Sequence, residues 1–304
     1  MQSEASEIMD HDGLTVLEGK ASSSNALTYD HGKEKSGEFQ AAVGTAAMQK
    51  TIGYPCVSVI IPTLNEAKNL PHVLPYVLTV ASEVILVDGH STDATIEVAQ
   101  RLMPTIKVTK QTGKGKGNAL QCGLAASTGD IIVMMDADGS TDPKEIPHFV
   151  QAILLGADLA KGSRFLSPGG SADITRLRRF GNHMLRMIVN WLFQTHFTDL
   201  CYGYIACWQG SLDFIELDSS GFEIETQIIL RARKANLKIV EVPSYEHLRL
   251  HGASHLKPFR DGWRVLRTIW KEWSNGYSGI KTPGRHCLYQ SSISEWQTDS
   301  WRAS

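Results

Sequence analysis

The sequence predicts an α/β domain built on a mostly parallel, Rossmann-like sheet with helices on both faces. Three observations predict it. Short runs rich in Val and Ile alternate with amphipathic stretches of helical period. The runs are apolar throughout instead of alternating, as strands covered on both faces are. The 304-residue chain is also 42% hydrophobic and 20% charged, which suits one large globular domain.

The candidate strands are C-V-S-V-I-I (56–61), E-V-I-L-V-D (83–88), T-I-K-V-T (105–109) and D-I-I-V-M-M-D (130–136). Amphipathic stretches at 67–80, 93–103 and 116–127 lie between them and complete βαβ units. The folded domain is expected over 54–275. Residues 1–53 read as a disordered tail: the first 50 carry eight acidic residues against four Lys, with no hydrophobic period. Residues 276–304, rich in Gly, Ser and Thr, read as a flexible C-terminal tail.

Charge and cysteine usage exclude several classes. Lys and Arg total 30 against 32 Asp and Glu, a balance that does not call for a nucleic-acid partner. The five cysteines (Cys56, Cys122, Cys201, Cys207, Cys287) form no CxxC pair, so neither a disulfide framework nor a zinc site is indicated. No apolar run is long enough to span a bilayer, and the first residues lack the pattern of a secretory signal. A cytoplasmic location follows as the expectation.

In a sheet of this kind ligands bind beyond the carboxyl ends of the strands. The first strand ends in P-T-L-N-E (Pro62 to Glu66), the second in D-G-H-S-T-D (Asp88 to Asp93), and the fourth in D-A-D-G-S (Asp136 to Ser140). Asp and Gly do terminate strands and cap helices, but three such ends place carboxylates along one edge. Asp136 and Asp138, at i and i+2, can share one hard divalent cation and leave positions open for phosphate oxygens. Mg²⁺ or Mn²⁺ there would neutralise charge developing on a leaving nucleoside diphosphate.

Two competing nucleotide folds fit poorly. A dehydrogenase needs G-x-G-x-x-G after its first strand, and a P-loop needs G-K-[ST]. Here Gly113, Gly115 and Gly117 follow the third strand, interleaved with Lys114 and Lys116. A lysine-bearing, glycine-rich turn before a helix still suits the approach of a phosphate.

The ordered set I-I-P-T-L-N-E, I-L-V-D-G-H-S-T-D-A-T, G-K-G-N-A-L, M-D-A-D, G-S-R-F and G-F-E-I-E-T-Q-I-I-L-R-A…V-E-V-P resembles family 2 glycosyltransferases over about residues 55–270. The resemblance is strongest to the dolichyl- or polyprenyl-phosphate mannosyl- and glucosyltransferase branch. It implies a glycosyltransferase A fold and a donor that is a GDP- or UDP-sugar. By position it implies that Pro62, Leu64 and Glu66 line the nucleobase and ribose, and that Val87 and Asp88 recognise the base. Asp136, Ala137 and Asp138 would form the nucleotide-sugar and metal motif, with Ser140 as a polar diphosphate contact. Arg164 would lie near the donor diphosphate or acceptor phosphate, and Arg249 would clamp the diphosphate. The chain departs from the family pattern at Gly89 and His90, where a second acid is common, at Leu64, where Tyr is common, and at His255, where Lys is common. His90 reads as a surface turn residue.

The implied reaction displaces a nucleoside diphosphate from C1 of a hexose with inversion. Asp138, helped by Asp136, would hold the metal, and Arg249 with Lys116 would offset leaving-group charge. A polyprenyl phosphate acceptor is already anionic and needs no strong base. A hydroxyl acceptor needs a carboxylate within reach, and Glu225 or Glu223 is the candidate; both also suit the start of a helix. Residues 174–193 combine four arginines with a helical apolar stripe. They read either as an interfacial helix presenting arginines to lipid phosphates or as an ordinary packed helix. A catalytically inactive binding protein on the same fold is the reading from a different class, and the retained pair of acids speaks against it.

Overall fold

The computed structural model describes residues 55–254 and 256–276. The expected tails, 1–53 and 276–304, lie outside the described residues apart from Gly276, and so does His255. In chain order come β1 (Val57–Thr63), α1 (Leu70–Val77), β2 (Glu83–Asp88), α2 (Thr95–Leu102), β3 (Lys107–Lys110), α3 (Lys116–Ala126) and β4 (Ile131–Met134). A 3₁₀ turn (Pro143–Glu145) leads into α4 (Ile146–Leu154), β5 (Leu159–Ser163), β6 (Gly170–Ser171) and α5 (Arg176–Phe193). Then follow β7 (Ile205–Trp208), a second 3₁₀ segment (Gln209–Phe214), α6 (Ile224–Lys234), β8 (Ile239–Pro243), β9 (Tyr245–Glu246) and α7 (Pro258–Ser274).

The main sheet has the order β3-β2-β1-β4-β7-β5-β8. β1 runs parallel to both β2 and β4, β2 to β3, and β5 to β8; β7 is antiparallel to β4 and β5. The expected mostly parallel sheet is therefore present. The antiparallel β7 is an addition, entered from the long segment after α5. The chain winds from β1 outward to β3 and returns to β4 on the other side of β1. That reversal opens a crevice where the ends of β1 and β4 diverge.

Period-two alternation along each strand sorts the core into two layers. Val57, Val59 and Ile61 of β1 pack under Leu70, Leu74, Phe149 and Ile153 on one face. Ile60 packs with Ile85, Val87, Leu120 and Ile228 on the other. Full burial of each such side chain contributes about 1.5–3 kcal/mol. The third expected strand starts two residues late, because Ile106 is drawn into the first layer just before β3 begins. A smaller cluster joins α5 (Val189, Phe193), α6 (Ile229, Leu230) and α7 (Val265, Ile269).

One buried ion cluster fixes the far half of the sheet. Arg164, just after β5, donates from Nε to Asp199 Oδ2 at 2.7 Å and from Nη2 to Asp199 Oδ1 at 3.0 Å. Its Nη1 reaches both carboxylate oxygens of Glu246 in β9 at 3.2 Å, and Nη2 also donates to the Cys201 carbonyl at 2.7 Å. Burial opposes ionisation of Asp199, but the Arg164 guanidinium outweighs it and holds the carboxyl below the ordinary aspartate value. Asp199→Asn leaves Arg164 short of a charged partner, and the expected cost at pH 7 is about 3–5 kcal/mol by urea unfolding. A carboxylate with a depressed folded pKa contributes stability above its unfolded value of about 3.9 and loses it as pH falls through the folded one. The gap between variant and wild type should therefore close below about pH 4. Equal stability at pH 7 would show that the cluster anchors nothing.

Candidate active site

The turn after β1 and the turn after β2 are stitched together. Asn65 N donates to Ser91 Oγ at 2.9 Å, Asn65 Oδ1 accepts from Thr92 N at 2.8 Å, and Glu66 N donates to Thr95 Oγ1 at 2.9 Å. These bonds hold Pro62, Leu64 and Glu66 at the crevice wall. Asp88 turns the other way. Its carboxylate accepts the backbone N–H of His90 at 3.1 Å and of Ser91 at 3.2 Å, and Val87 is fully enclosed in the core. Val87 and Asp88, expected from the resemblance to meet the base, stand behind the lining, and Gly89 and Gln111 form the wall there. His90 is exposed in that turn with φ 66°, the surface-turn position expected for it.

The return segment after β9 closes over the end of β4. His247 N donates to the Ser140 carbonyl at 2.8 Å and Leu250 N to the Asp138 carbonyl at 3.2 Å. This registers Arg249 against two acids. Its Nη2 stands 2.6 Å from Asp138 Oδ2 and its Nη1 3.2 Å from Glu66 Oε1. The other Asp138 oxygen accepts Ser140 N at 2.9 Å. Burial pushes the Glu66 carboxyl above the ordinary glutamate value, only partly offset by Asn69 and Arg249.

A second cation repeats this arrangement. Lys116 Nζ, on the first turn of α3, lies 2.5 Å from Asp136 Oδ1 and 2.6 Å from Glu225 Oε1. Burial pulls the ammonium toward neutrality, yet the two carboxylates outweigh it and hold its pKa above the ordinary lysine value. Glu225 is raised, by burial first and by the charge of Asp136. Gly203 makes room for the pair, since a Cβ there would sit 2.6 Å from Lys116 Nζ and against Glu225 Oε1. Glu223 is occupied elsewhere, accepting from Arg264 Nη2 at 2.8 Å and Gly221 N at 3.1 Å.

The glycine-rich turn does not cradle a phosphate. Gly117 N donates to the Ser220 carbonyl at 2.9 Å, and Asn118 N lies 3.4 Å from the same oxygen. A Cβ on Gly117 would meet the Ser220 carbonyl carbon at 2.8 Å, so this glycine serves close packing of two backbones. The Gly117 amide at the start of α3 is thus taken, and Gly115, Lys116 and Ala119 of this stretch line the crevice.

The crevice encloses about 810 Å³. Its polar floor carries Glu66, Lys116, Asp136, Asp138, Glu225 and Arg249, with Ala137 and Ser140 beside them. Its mouth is largely apolar, with Leu177, Phe180 and Leu185 of α5 and Leu256, Phe259 and Val265 around α7, and with Asp173, Arg178, Asn182 and Asp261 among them. Arg164 borders the cavity, but its donors are committed to Asp199, Glu246 and the Cys201 carbonyl; it holds the wall and has no spare donor for a phosphate. Sequence reasoning missed Gln111, Gly203, Tyr202 and Phe222, which share the lining but sit in no recognisable strand-end string. Among the described residues no group of three His, Cys, Asp or Glu gathers around one point. The donor set available to a metal is Asp136 with Asp138, two hard carboxylates that suit Mg²⁺ or Mn²⁺ once phosphate oxygens and water complete the shell.

Comparison with known proteins agrees with this geometry. Residues 58–212 match the model of the glycosyl transferase family 2. Glycosyltransferase AglJ of Haloferax volcanii is 30% identical over 220 residues, covering 71% of this chain and 71% of that protein. The dolichol-phosphate mannosyltransferase of Pyrococcus furiosus is 32% identical over 210 residues, covering 66% of this chain and 59% of that protein. The chain thus matches under two thirds of the archaeal mannosyltransferase. In fold it is similar to glucosyl-3-phosphoglycerate synthase of Mycobacterium tuberculosis, solved with Mn²⁺, UDP and glucosyl-3-phosphoglycerate, at a TM-score of 0.60 and 21% identity over 85% of this chain and 88% of that one. Two carboxylates at the end of β4, at the switch point of such a sheet, thus belong to a glycosyltransferase of family 2 with the glycosyltransferase A fold.

Proposed function

We propose that the protein moves a hexose from a GDP- or UDP-sugar to a polyprenyl phosphate, with Mg²⁺ or Mn²⁺ held by Asp136 and Asp138. The observation that carries the reading is the continuity of one cavity from an ionic floor to an apolar mouth. The floor suits a nucleoside diphosphate and the mouth suits an isoprenoid chain. The names of the relatives support it, since one is a dolichol-phosphate mannosyltransferase.

A bound divalent cation would supply Lewis-acid stabilisation of the leaving diphosphate. The chain's own residues do the rest. Glu66, Leu64 and Pro62 wall the nucleoside side, with Gln111 added to them. Arg249 and Lys116 are preorganised donors for charge that appears on the leaving group. An acceptor phosphate oxygen attacks C1, the bond from C1 to the diphosphate oxygen breaks, and the electron pair departs with the nucleoside diphosphate. No proton need be removed from an anionic acceptor.

The outer faces of α5 and α7 support a lipid acceptor. Leu177, Phe180, Met184, Met187 and Trp191 recur every three or four residues along α5 and are all exposed. Phe259, Trp263, Trp270 and Trp273, at positions one or two turns apart, are likewise exposed along α7. Arg176, Arg179, Arg260 and Arg267 flank them, also exposed. Apolar stripes with basic borders suit peripheral contact with the cytoplasmic membrane face. Among the described residues no helix is long and apolar enough to cross a membrane.

A second reading, transfer to a soluble hydroxyl, draws on Glu225, whose carboxylate faces the cavity with a raised pKa. The two readings separate experimentally. Detergent-dispersed polyprenyl phosphate should stimulate turnover of a GDP- or UDP-sugar, and no stimulation with either donor removes the lipid reading. With a phosphate acceptor, Glu225→Gln should cost at most about tenfold, through the loss of one partner of Lys116. With a hydroxyl acceptor it should cost about 10²–10⁴-fold. Gly203→Ala should displace the Lys116–Glu225 pair and lower turnover by about 10²-fold while nucleotide binding, followed by calorimetry, survives. Undiminished turnover in that variant would take the pair out of the reaction.

A further inference from the structure

Asp136 and Asp138 each carry an internal cation already. Lys116 Nζ stands 2.5 Å from Asp136 and Arg249 Nη2 2.6 Å from Asp138. Each cation is also held by a second carboxylate from a separate element, Lys116 by Glu225 at 2.6 Å and Arg249 by Glu66 at 3.2 Å. Both bridges therefore have the same form, with the cation shared between a carboxylate of the D-A-D turn and an anchor outside it. If the D-A-D carboxylate turns away, the anchor keeps the cation in the crevice.

We propose that Lys116 and Arg249 act as place-holders on this carboxylate pair, so that a divalent cation and a nucleoside diphosphate bind together far better than either binds alone. The inference rests on the reading that Asp136 and Asp138 take the metal. A lone divalent cation must displace an ammonium and a guanidinium, and it offers the displaced groups no new partner. Leaving a buried charge short of a partner is costly. A nucleoside diphosphate supplies that partner, because its phosphate oxygens accept from the released Lys116 and Arg249 while they stay tethered to Glu225 and Glu66. The diphosphate alone gains little, since the cations are still engaged by the D-A-D carboxylates. Because coupling between two ligands is reciprocal, metal and nucleotide raise each other's affinity by one common factor. Lys116 and Arg249 are in this sense positioning residues for metal entry, in addition to any contact with the leaving group.

The test measures Mn²⁺ binding directly, by the loss of the free-ion electron paramagnetic resonance signal, with and without GDP or UDP. Wild type should bind Mn²⁺ alone weakly and about tenfold or more tighter with its nucleotide. Arg249→Gln should bind Mn²⁺ alone several-fold tighter than wild type, with the coupling factor falling toward one. Glu66→Gln shifts the metal-alone affinity the opposite way, because Arg249 then has only Asp138 to hold. These opposite signs separate the mechanism from general damage to the fold. If Arg249→Gln fails to fold, Glu66→Gln alone decides. Variants that bind Mn²⁺ alone like wild type, with unchanged coupling, would overturn the place-holder role and leave the metal assignment standing. Wild type that binds no Mn²⁺ with either nucleotide would instead overturn the metal assignment itself, and the inference with it.

Discussion

Compensation of charge in a poorly hydrated cleft is the constraint on which this architecture depends. Four carboxylates, Glu66, Asp136, Asp138 and Glu225, converge on one crevice, and an isolated buried carboxylate is not tolerable. Lys116 and Arg249 resolve this by each bridging two of them. The bridges tie the turn after β1 to the return segment, and the end of β4 to α6. A third cation, the Arg164 guanidinium, does the equivalent work deeper in the wall with Asp199 and Glu246. Around the floor the cavity walls are thus pinned by ion pairs.

The parts legible in the sequence were those whose determinants are local. The apolar runs of β1, β2 and β4 and the acids at their ends sit within a few residues of each other, so periodicity and turn chemistry were enough to locate them. Long-range partners were not legible. Glu225 meets Lys116 across 109 residues and Arg249 meets Glu66 across 183. Arg164 illustrates the difference, because its motif suggested a phosphate contact while its fate was set by Asp199 and Glu246, 35 and 82 residues away. The surroundings of Asp88 and of the glycine-rich turn were not legible for a related reason. Short-range backbone bonding to His90 and Ser91, and the approach of Ser220, satisfied groups that the strings alone left open.

The two halves of the cavity answer to different physics. At the floor, specificity comes from fixed donors and acceptors. At the mouth, α5 and α7 supply apolar surface with no fixed geometry, held in place from beneath by Val189, Phe193, Val265 and Ile269.

The start of α3 bears on competition among anions. In many nucleotide-binding folds a helix N-terminus attracts any phosphate or sulfate through its free amides and dipole. Here the Ser220 carbonyl takes the Gly117 amide. That amide is closed to a phosphate, and the Lys116 side chain beside it is already engaged by Asp136 and Glu225. In the proposed donor site, recognition of a diphosphate would therefore fall to the Lys116 and Arg249 side chains and not to the Gly117 amide.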